Sequence, residues 1–313
     1  MADKPSRALV LYGDGLARFL NPSHTHLHSL ASLASCGFLA LPHYPPSENE
    51  GARIIREFAE LLDACEAYNE NAEEFAGGVK SEDKSVTASL SERFTGMKAA
   101  LITQNSHLKC FGNKIGLTTL QLNDLVGVSH SLEVSQLLAS ELLKLLGFEE
   151  GKTLETSQFD IIIVHIGAGE EQNGLLDTEQ MNDLVGTLLC SAQPGTEISS
   201  RLHLSVLMSY GAVSGNENSE LSLSVAKDEN NSELSPFYPR QSYTMKGGKP
   251  RDNVRHQNPI LIAQWQNAVT RKDMVDTYSF ADFKENVGNL VIPADRFLHE
   301  VAFKLWKAPK YGA

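Results

Sequence analysis

Six short runs of almost uninterrupted apolar residues recur along the 313-residue chain. They are Ala8–Tyr12, Phe38–Leu41, Ala99–Thr103, Phe159–His165, Leu202–Met208 and Ile260–Ala263. Strands that are apolar on both faces are typical of a parallel sheet covered by helices on both sides. Helical patterns lie between the runs, at Gly51–Tyr68, Leu132–Leu146, Thr178–Leu189 and Ala294–Lys307. This alternation predicts an α/β fold, a doubly wound, mainly parallel sheet with helices on both faces.

The helical pattern Gly51–Tyr68 is amphipathic. Its apolar stripe recurs at helical spacing, and its opposite face carries Arg53, Arg56, Glu57 and Glu60. The stripe predicts packing against the sheet, with these charged side chains on the other face of the helix.

Two polar stretches interrupt the pattern, at residues 69–93 and 212–236. Neither carries a sustained apolar stripe, and such composition is typical of surface loops. The short run LSLSV within the second stretch could form a small edge strand. We therefore predict a single α/β domain over residues 1–313, with polar surface loops at these two places.

Charge and composition exclude several classes of function. The chain has 27 Lys and Arg against 39 Asp and Glu, a formal net charge of −12. Nucleic-acid binding needs clustered basic residues, so we expect no nucleic-acid partner. We also expect no membrane association, because no stretch reaches the ~20 apolar residues of a membrane span. With no signal-peptide pattern at the N-terminus, the expected location is cytoplasmic, and four scattered cysteines are expected as small core residues.

The first apolar run ends in the turn Gly13-Asp14-Gly15. Glycine on both sides permits a tight turn that places Asp14 at the carboxyl end of the predicted strand. In open α/β sheets this edge is where ligands and metals are bound. Asp14 is therefore the first candidate metal ligand.

Five segments, taken in order, resemble the alkaline phosphatase superfamily, in particular its phosphoglycerate mutase, sulfatase and nucleotide pyrophosphatase branches. They are LVLYGDGL, THLHSLASLASCG, MKAALIT, FDIIIVHIGAG and LHLSVLMSYGAVSG. The resemblance implies an alkaline-phosphatase-like core. In active members it also implies two divalent cations held by Asp and His beside an attacking Ser or Thr. The chain as a whole also looks similar to plant proteins.

Two of these segments depart from the family pattern where it places metal ligands. The fourth has His165-Ile-Gly-Ala-Gly-Glu-Glu in place of D-x-x-D-x-x-G-H, and the fifth has Ser209-Tyr210-Gly211 in place of D-H-G. Neutral hydroxyl groups do not offset the charge of a dication. The sequence therefore predicts a catalytically degenerate member of the superfamily, a binding or scaffold protein with an unidentified protein partner and no cofactor.

The alternative is a metal-dependent phosphate or sulfate ester hydrolase or mutase with an unusual ligand set. Asp14, His165, Glu170 and His256 would then hold Mn, Zn or Mg. Family members often place a histidine ligand before a PLI strand, and PILIA follows His256 here. The same basic stretch, from Lys246 to His256, could instead contact an anion or a partner, or be a solvated loop.

Candidate nucleophiles for this alternative are Ser23, Thr25 and Ser47, although none lies in a G-x-S-x-G elbow. The alternating His24, His26 and His28 would project to one face of a strand, as metal ligands can. The family-like interpretation instead starts a helix at Thr25, in which these three side chains do not converge.

Overall fold

The computed structural model describes residues 6–43, 48–69, 88–125, 132–167, 173–212, 221–223, 245–246, 249–251, 253–255, 257–286 and 291–309. Among these residues, eight strands form one mixed sheet. In chain order they are β1 (Arg7–Gly13), β2 (Ser35–Ala40), β3 (Ala99–Ile102), β4 (Thr118–Leu120), β5 (Ile161–Ile166), β6 (Leu202–Met208), β7 (Ile260–Trp265) and β8 (Val291–Pro293).

The order of strands across the sheet is β8-β2-β7-β6-β1-β5-β3-β4. Only β7 runs antiparallel to its neighbours, β2 and β6; the other neighbouring pairs in the described sheet are parallel. The predicted α/β fold with a mainly parallel sheet is confirmed, and each of the six apolar runs contributes a strand.

Helices cover both faces of the sheet. One face carries α1 (Thr25–Leu33), α4 (Leu132–Leu145), α5 (Gly174–Ser191) and α6 (Phe280–Asn286). The other carries α2 (Glu50–Leu61), α3 (Ser106–Lys114) and α7 (Phe297–Lys304). Shorter helices at Cys65–Asn69, Leu90–Arg93, Leu122–Leu125 and Glu197–Arg201 lie in the connections. No described helix is both long and apolar enough to cross a membrane.

The central strand β1 shows why the apolar runs have no polar face. Leu9 and Leu11 pack into one hydrophobic layer, whereas Ala8, Val10 and Tyr12 pack into the layer on the other side. Successive side chains of a strand point to opposite faces, and here both faces are covered by helices. An uninterrupted apolar sequence is what this position requires.

The C-terminal region differs from the predicted helix Ala294–Lys307. Ala294–Arg296 is a 3₁₀ turn, and α7 occupies only Phe297–Lys304. Before them, Val291–Pro293 forms the edge strand β8, parallel to β2. Two β-branched residues followed by proline suit an edge strand, because proline has no N–H to donate to a further neighbour.

The predicted helix Gly51–Tyr68 is divided in two. The first part, α2, ends at Leu61, and a short helix follows at Cys65–Asn69. Asp63 lies between them with φ of 48°, in the left-handed region, where a right-handed helix cannot continue. Most of the predicted loops 69–93 and 212–236 lies outside the described residues. Of LSLSV, residues 221–223 are described; they form no extended strand, and Ser222 makes a single isolated β-bridge with Gln257.

The expectation that the cysteines are core residues is confirmed only for Cys36, which is buried. Cys65 is half-buried, and Cys110 and Cys190 are exposed. The last two lie on α3 and α5, whose buried stripes are formed by other residues of those helices. Apolar neighbours in the sequence did not show that Cys110 and Cys190 lie on the exposed faces of these helices.

Gly167, directly after β5, lies against the turn that follows β1. Its φ is 106°, and a Cβ there would overlap the carbonyl oxygen of Asp14. Gly195 has a similar φ of 98°, but no atom lies within 4 Å of the position of its Cβ. We expect Gly167→Ala to lower the free energy of unfolding by about 3–5 kcal/mol, from strain and overlap together.

The control Gly195→Ala adds the strain without the overlap and should cost about 1 kcal/mol. Urea unfolding followed by circular dichroism measures both variants. Equal losses of stability would contradict the tight approach of the β1 and β5 turns.

Candidate functional site

Asp14 is held at the carboxyl edge of the sheet, between the ends of the two strands that flank β1. Its backbone N–H donates to the carbonyl oxygen of Ile166 over 2.9 Å. Gly15, with φ of 75°, donates its N–H to Oγ of Ser209 over 2.9 Å. The turn predicted from Gly13-Asp14-Gly15 is therefore fixed from both sides, and the Asp14 side chain is buried.

The carboxylate of Asp14 is paired with the guanidinium of Arg53. Nη2 of Arg53 donates to Oδ1 over 3.0 Å and to Oδ2 over 2.9 Å. The hydroxyl of Ser209 donates a further hydrogen bond to Oδ1 over 3.0 Å. The side chains of Asp14 and Arg53 are 0% and 6% exposed, so this is a buried ion pair.

Two more carboxylates fix Arg53 in place, both from its own helix α2. Glu57 accepts from Nη1 over 2.8 Å, and Glu50 accepts from Nε over 2.8 Å and from Nη2 over 2.6 Å. Spacings of three and four residues put such side chains on one face of a helix. The guanidinium of Arg53 therefore donates hydrogen bonds to three carboxylates, those of Asp14, Glu50 and Glu57.

Glu57 is itself fully enclosed and has further partners. The hydroxyl of Tyr12 donates to its Oε2 over 3.3 Å, and Nη2 of Arg255 lies 3.7 Å from its Oε1. The nearby Arg251 pairs with Asp295 over 2.6 Å. These two arginines of the basic stretch are thus engaged with carboxylates of the protein itself.

The two buried carboxyl groups around Arg53 respond in opposite directions. Burial by itself raises the pKa of a carboxyl group, because it disfavours the charged form. At Asp14, His165 and Arg53 outweigh burial and hold the pKa well below its usual range. At Glu57 burial prevails over the attraction of Arg53, and the pKa is raised. Asp14 is therefore the more firmly ionised of the two.

His165, in β5, lies beside Asp14. Its Nε2 is 3.8 Å from Oδ2 of Asp14, and its Nδ1 is 3.1 Å from Oγ1 of Thr103. The imidazole ring also packs on the ring of Tyr12, with 5.7 Å between their centroids. The structure thus brings together two of the four predicted ligands, Asp14 and His165, while Glu170 and His256 lie outside the described residues.

The candidate nucleophiles are not brought to this cluster. Ser23 and Thr25 are exposed at the beginning of α1, where the Ser23 hydroxyl donates to the side chain of Asn21. Ser47 lies outside the described residues.

The three alternating histidines lie at the start of α1, as the helical interpretation predicts. Nδ1 of His28 accepts from the N–H of Tyr278 over 3.0 Å, so its Nε2 donates to the carbonyl oxygen of Asn21 over 3.0 Å. His26 packs on Gly186 of α5, where a Cβ would overlap its ring. His28 thus joins two segments of the chain through both of its ring nitrogens.

Sequence reasoning missed Arg53, Glu57 and Ser209 as members of the cluster. It placed Arg53, Arg56 and Glu57 on the polar face of a helix, yet all three residues are buried. The reason is that α2 begins at the carboxyl edge of the sheet, where its polar face meets Asp14. The spacing of Glu50, Arg53 and Glu57 is a signal that could have indicated their pairing on one helix face, but it carries no sign of their burial.

The described residues around Asp14 do not fit a divalent cation. Arg53 already occupies both oxygens of the carboxylate, and its positive charge would repel a metal ion placed there. In the part of the chain that the structure describes, no group of three or more His, Cys, Asp or Glu side chains could hold a metal ion.

Comparisons with known proteins find similarity in structure only. No family model matches the chain, and no curated protein matches it. The PH0037 protein from Pyrococcus horikoshii is 12% identical, with a TM-score of 0.56 over 99% of both chains.

Two further solved structures are less similar. The cofactor-independent phosphoglycerate mutase from Thermoplasma acidophilum is 11% identical, with a TM-score of 0.47 over 96% of this chain and 99% of that one. The alkaline phosphatase from the Antarctic bacterium TAB5 is 12% identical, with a TM-score of 0.42 over 98% and 99%. The similarity to the PH0037 protein concerns the fold alone, since the two chains are only 12% identical.

The Arg53 cluster predicts a large effect on stability. We expect Arg53→Met to lower the free energy of unfolding by about 3–5 kcal/mol, because it leaves Asp14 and Glu57 buried without their counter-ion. Urea unfolding measures this loss. Lys144→Met is the control, since Lys144 is 64% exposed and lies 3.8 Å from Glu141 on a helix surface. It should cost less than about 1 kcal/mol, and a similar loss in both variants would contradict the buried pair.

Proposed function

We propose that this chain is a catalytically degenerate relative of the alkaline phosphatase superfamily that acts as a binding or scaffold protein for a protein partner. The observation that carries the proposal is the buried pair of Arg53 and Asp14. A carboxylate in the position expected of a metal ligand is neutralised by a side chain of the protein itself.

A guanidinium is a poor substitute for a catalytic dication. It carries one charge instead of two, and it has no open coordination position at which a water could be activated. Its donors here are directed at Asp14, Glu50 and Glu57. The cluster therefore joins the end of β1 to α2 and supports the fold.

One observation favours the alternative, a metal-dependent ester hydrolase or mutase. His165 places Nε2 3.8 Å from Asp14, with no hydrogen-bond partner on that nitrogen among the described residues. In that case Asp14, His165, Glu170 and His256 would share Mn, Zn or Mg only after Arg53 moved away. Displacing a guanidinium from three carboxylates is costly, and this places the alternative second.

Metal content and turnover test the proposal directly. We expect the purified protein to hold no stoichiometric Mn, Zn or Mg after dialysis. It should also hydrolyse phosphomonoester, phosphodiester and aryl sulfate substrates no faster than its Asp14→Asn variant. Elemental analysis and a chromogenic substrate panel, with these metals added, provide the measurements. Stoichiometric metal that is lost in Asp14→Asn, or turnover that this variant abolishes, would overturn the proposal.

Removing the guanidinium of Arg53 should allow the carboxylates of the cluster to bind an added divalent cation. In Arg53→Ala, the carboxylates of Asp14, Glu50 and Glu57 lose their shared counter-ion, and we expect added Mn²⁺ to raise the melting temperature of this variant. The wild type should show no such shift, and neither should Arg53→Ala with Asp14→Asn. Differential scanning calorimetry with and without Mn²⁺ measures the effect. An equal shift of the melting temperature in all three proteins would contradict the inference that Arg53 takes the place of a metal ion beside Asp14.

A further inference from the structure

A cavity of about 320 Å³ lies between α7 and the strands β2 and β7. It is separated from the Asp14 cluster, because β6 and β7 stand between β2 and β1 in the sheet. Its volume is at the small end of the range for ligand sites in proteins. Nothing in the Asp14 cluster depends on this cavity.

Where β2 borders the cavity it has a glycine, Gly37. Cys36 and Phe38 pack into the hydrophobic layer under α1, so by alternation Gly37 faces the side of α7. Ile262, which pairs with Gly37 in the sheet, packs in the layer on the α7 side. The missing side chain leaves an open floor beside Ile262, and Ile292 of β8 adds a second apolar wall.

Two opposite charges of α7 line the same cavity, Glu300 and Lys304. Residues four apart in the order Glu-Lys usually pair on a helix surface. Here they do not approach to ion-pair distance, and neither has another ionic partner among the described residues. Burial lowers the pKa of the half-buried Lys304, and the carboxylate of the exposed Glu300 acts on it in the opposite direction.

The other polar groups of the cavity carry no spare charge. Gln264, which lines the cavity, donates from Nε2 to Oγ of Ser205 over 3.3 Å, and the same nitrogen lies 3.4 Å from Nε2 of His203. Burial lowers the pKa of His203 to about 3, so this imidazole is neutral at physiological pH. At the rim, Arg271 is paired with Asp273 over 2.7 Å. Glu300 and Lys304 therefore remain as the two charges for a ligand to match.

We propose that this cavity binds a small aliphatic α-amino acid. The carboxylate of the ligand pairs with Lys304, its ammonium group pairs with Glu300, and its side chain lies against Ile262 and Ile292. A zwitterion matches two opposite charges one helical turn apart, which neither an anion nor a cation does. The small volume limits the side chain to a few carbon atoms.

Isothermal titration calorimetry of the full chain with L-leucine, 4-methylpentanoate and 3-methylbutylamine tests this inference. The second compound lacks the ammonium group of leucine and the third lacks its carboxylate. We expect leucine to bind, and each analogue to bind roughly tenfold to a hundredfold more weakly, since each loses one charge-assisted contact. No heat of binding with leucine at millimolar concentration, or equal affinity for leucine and 4-methylpentanoate, would overturn the inference.

Two variants locate the site. Lys304→Met should weaken leucine binding roughly tenfold or more while leaving the amine unaffected, because only the carboxylate loses its partner. Gly37→Val places a side chain in the cavity and should abolish binding of all three compounds. If circular dichroism shows that the valine variant does not fold, Gly37→Ala replaces it in the test. Lys144→Met, remote from the cavity lining, should bind leucine like the wild type. Undiminished leucine binding in both Lys304→Met and the folded Gly37 variant would overturn the assignment, while leaving the proposal about Asp14 untouched.

Discussion

The structure depends on two charges that have been taken out of water together. The carboxylate of Asp14 and the guanidinium of Arg53 are both buried, and each would be costly to bury alone. Their pairing fixes the end of the central strand β1 to the beginning of α2. Ser209, from the end of β6, donates to the same carboxylate, so three elements meet at one side chain. Asp14, the first candidate metal ligand, is thus also the residue through which β1, α2 and the end of β6 contact one another.

The cost of this arrangement accounts for the charges around it. A single guanidinium cannot neutralise Asp14, Glu50 and Glu57 at once, and burial shifts the imbalance onto Glu57, whose pKa is raised. Two other parts of the chain also contact Glu57: the hydroxyl of Tyr12 donates to it, and the guanidinium of Arg255 lies close to it. Within this polar network Asp14 keeps its charge, because Arg53 and His165 lie close to it and outweigh the effect of burial on its pKa.

Much of the fold could be predicted from the sequence, because buried parallel strands leave long apolar runs. The edge strands β4 and β8 were missed, since three residues with one exposed side show no such run. At the site, Asp14 and His165 could be placed together because both lie at the ends of neighbouring strands. Arg53 could not, because the polar face of a helix has the same pattern whether it meets solvent or the edge of a sheet.

The antiparallel strand β7 lies between a segment that reaches the Asp14 cluster and a segment that reaches the cavity. The segment that enters β7 contains Arg255, which lies close to Glu57 at one edge of the sheet. The segment that leaves β7 contains Val269 and Arg271, at the rim of the cavity. Because β7 runs antiparallel to its neighbours, it begins at the edge of the sheet that carries the Asp14 cluster and ends at the opposite edge, beside the cavity.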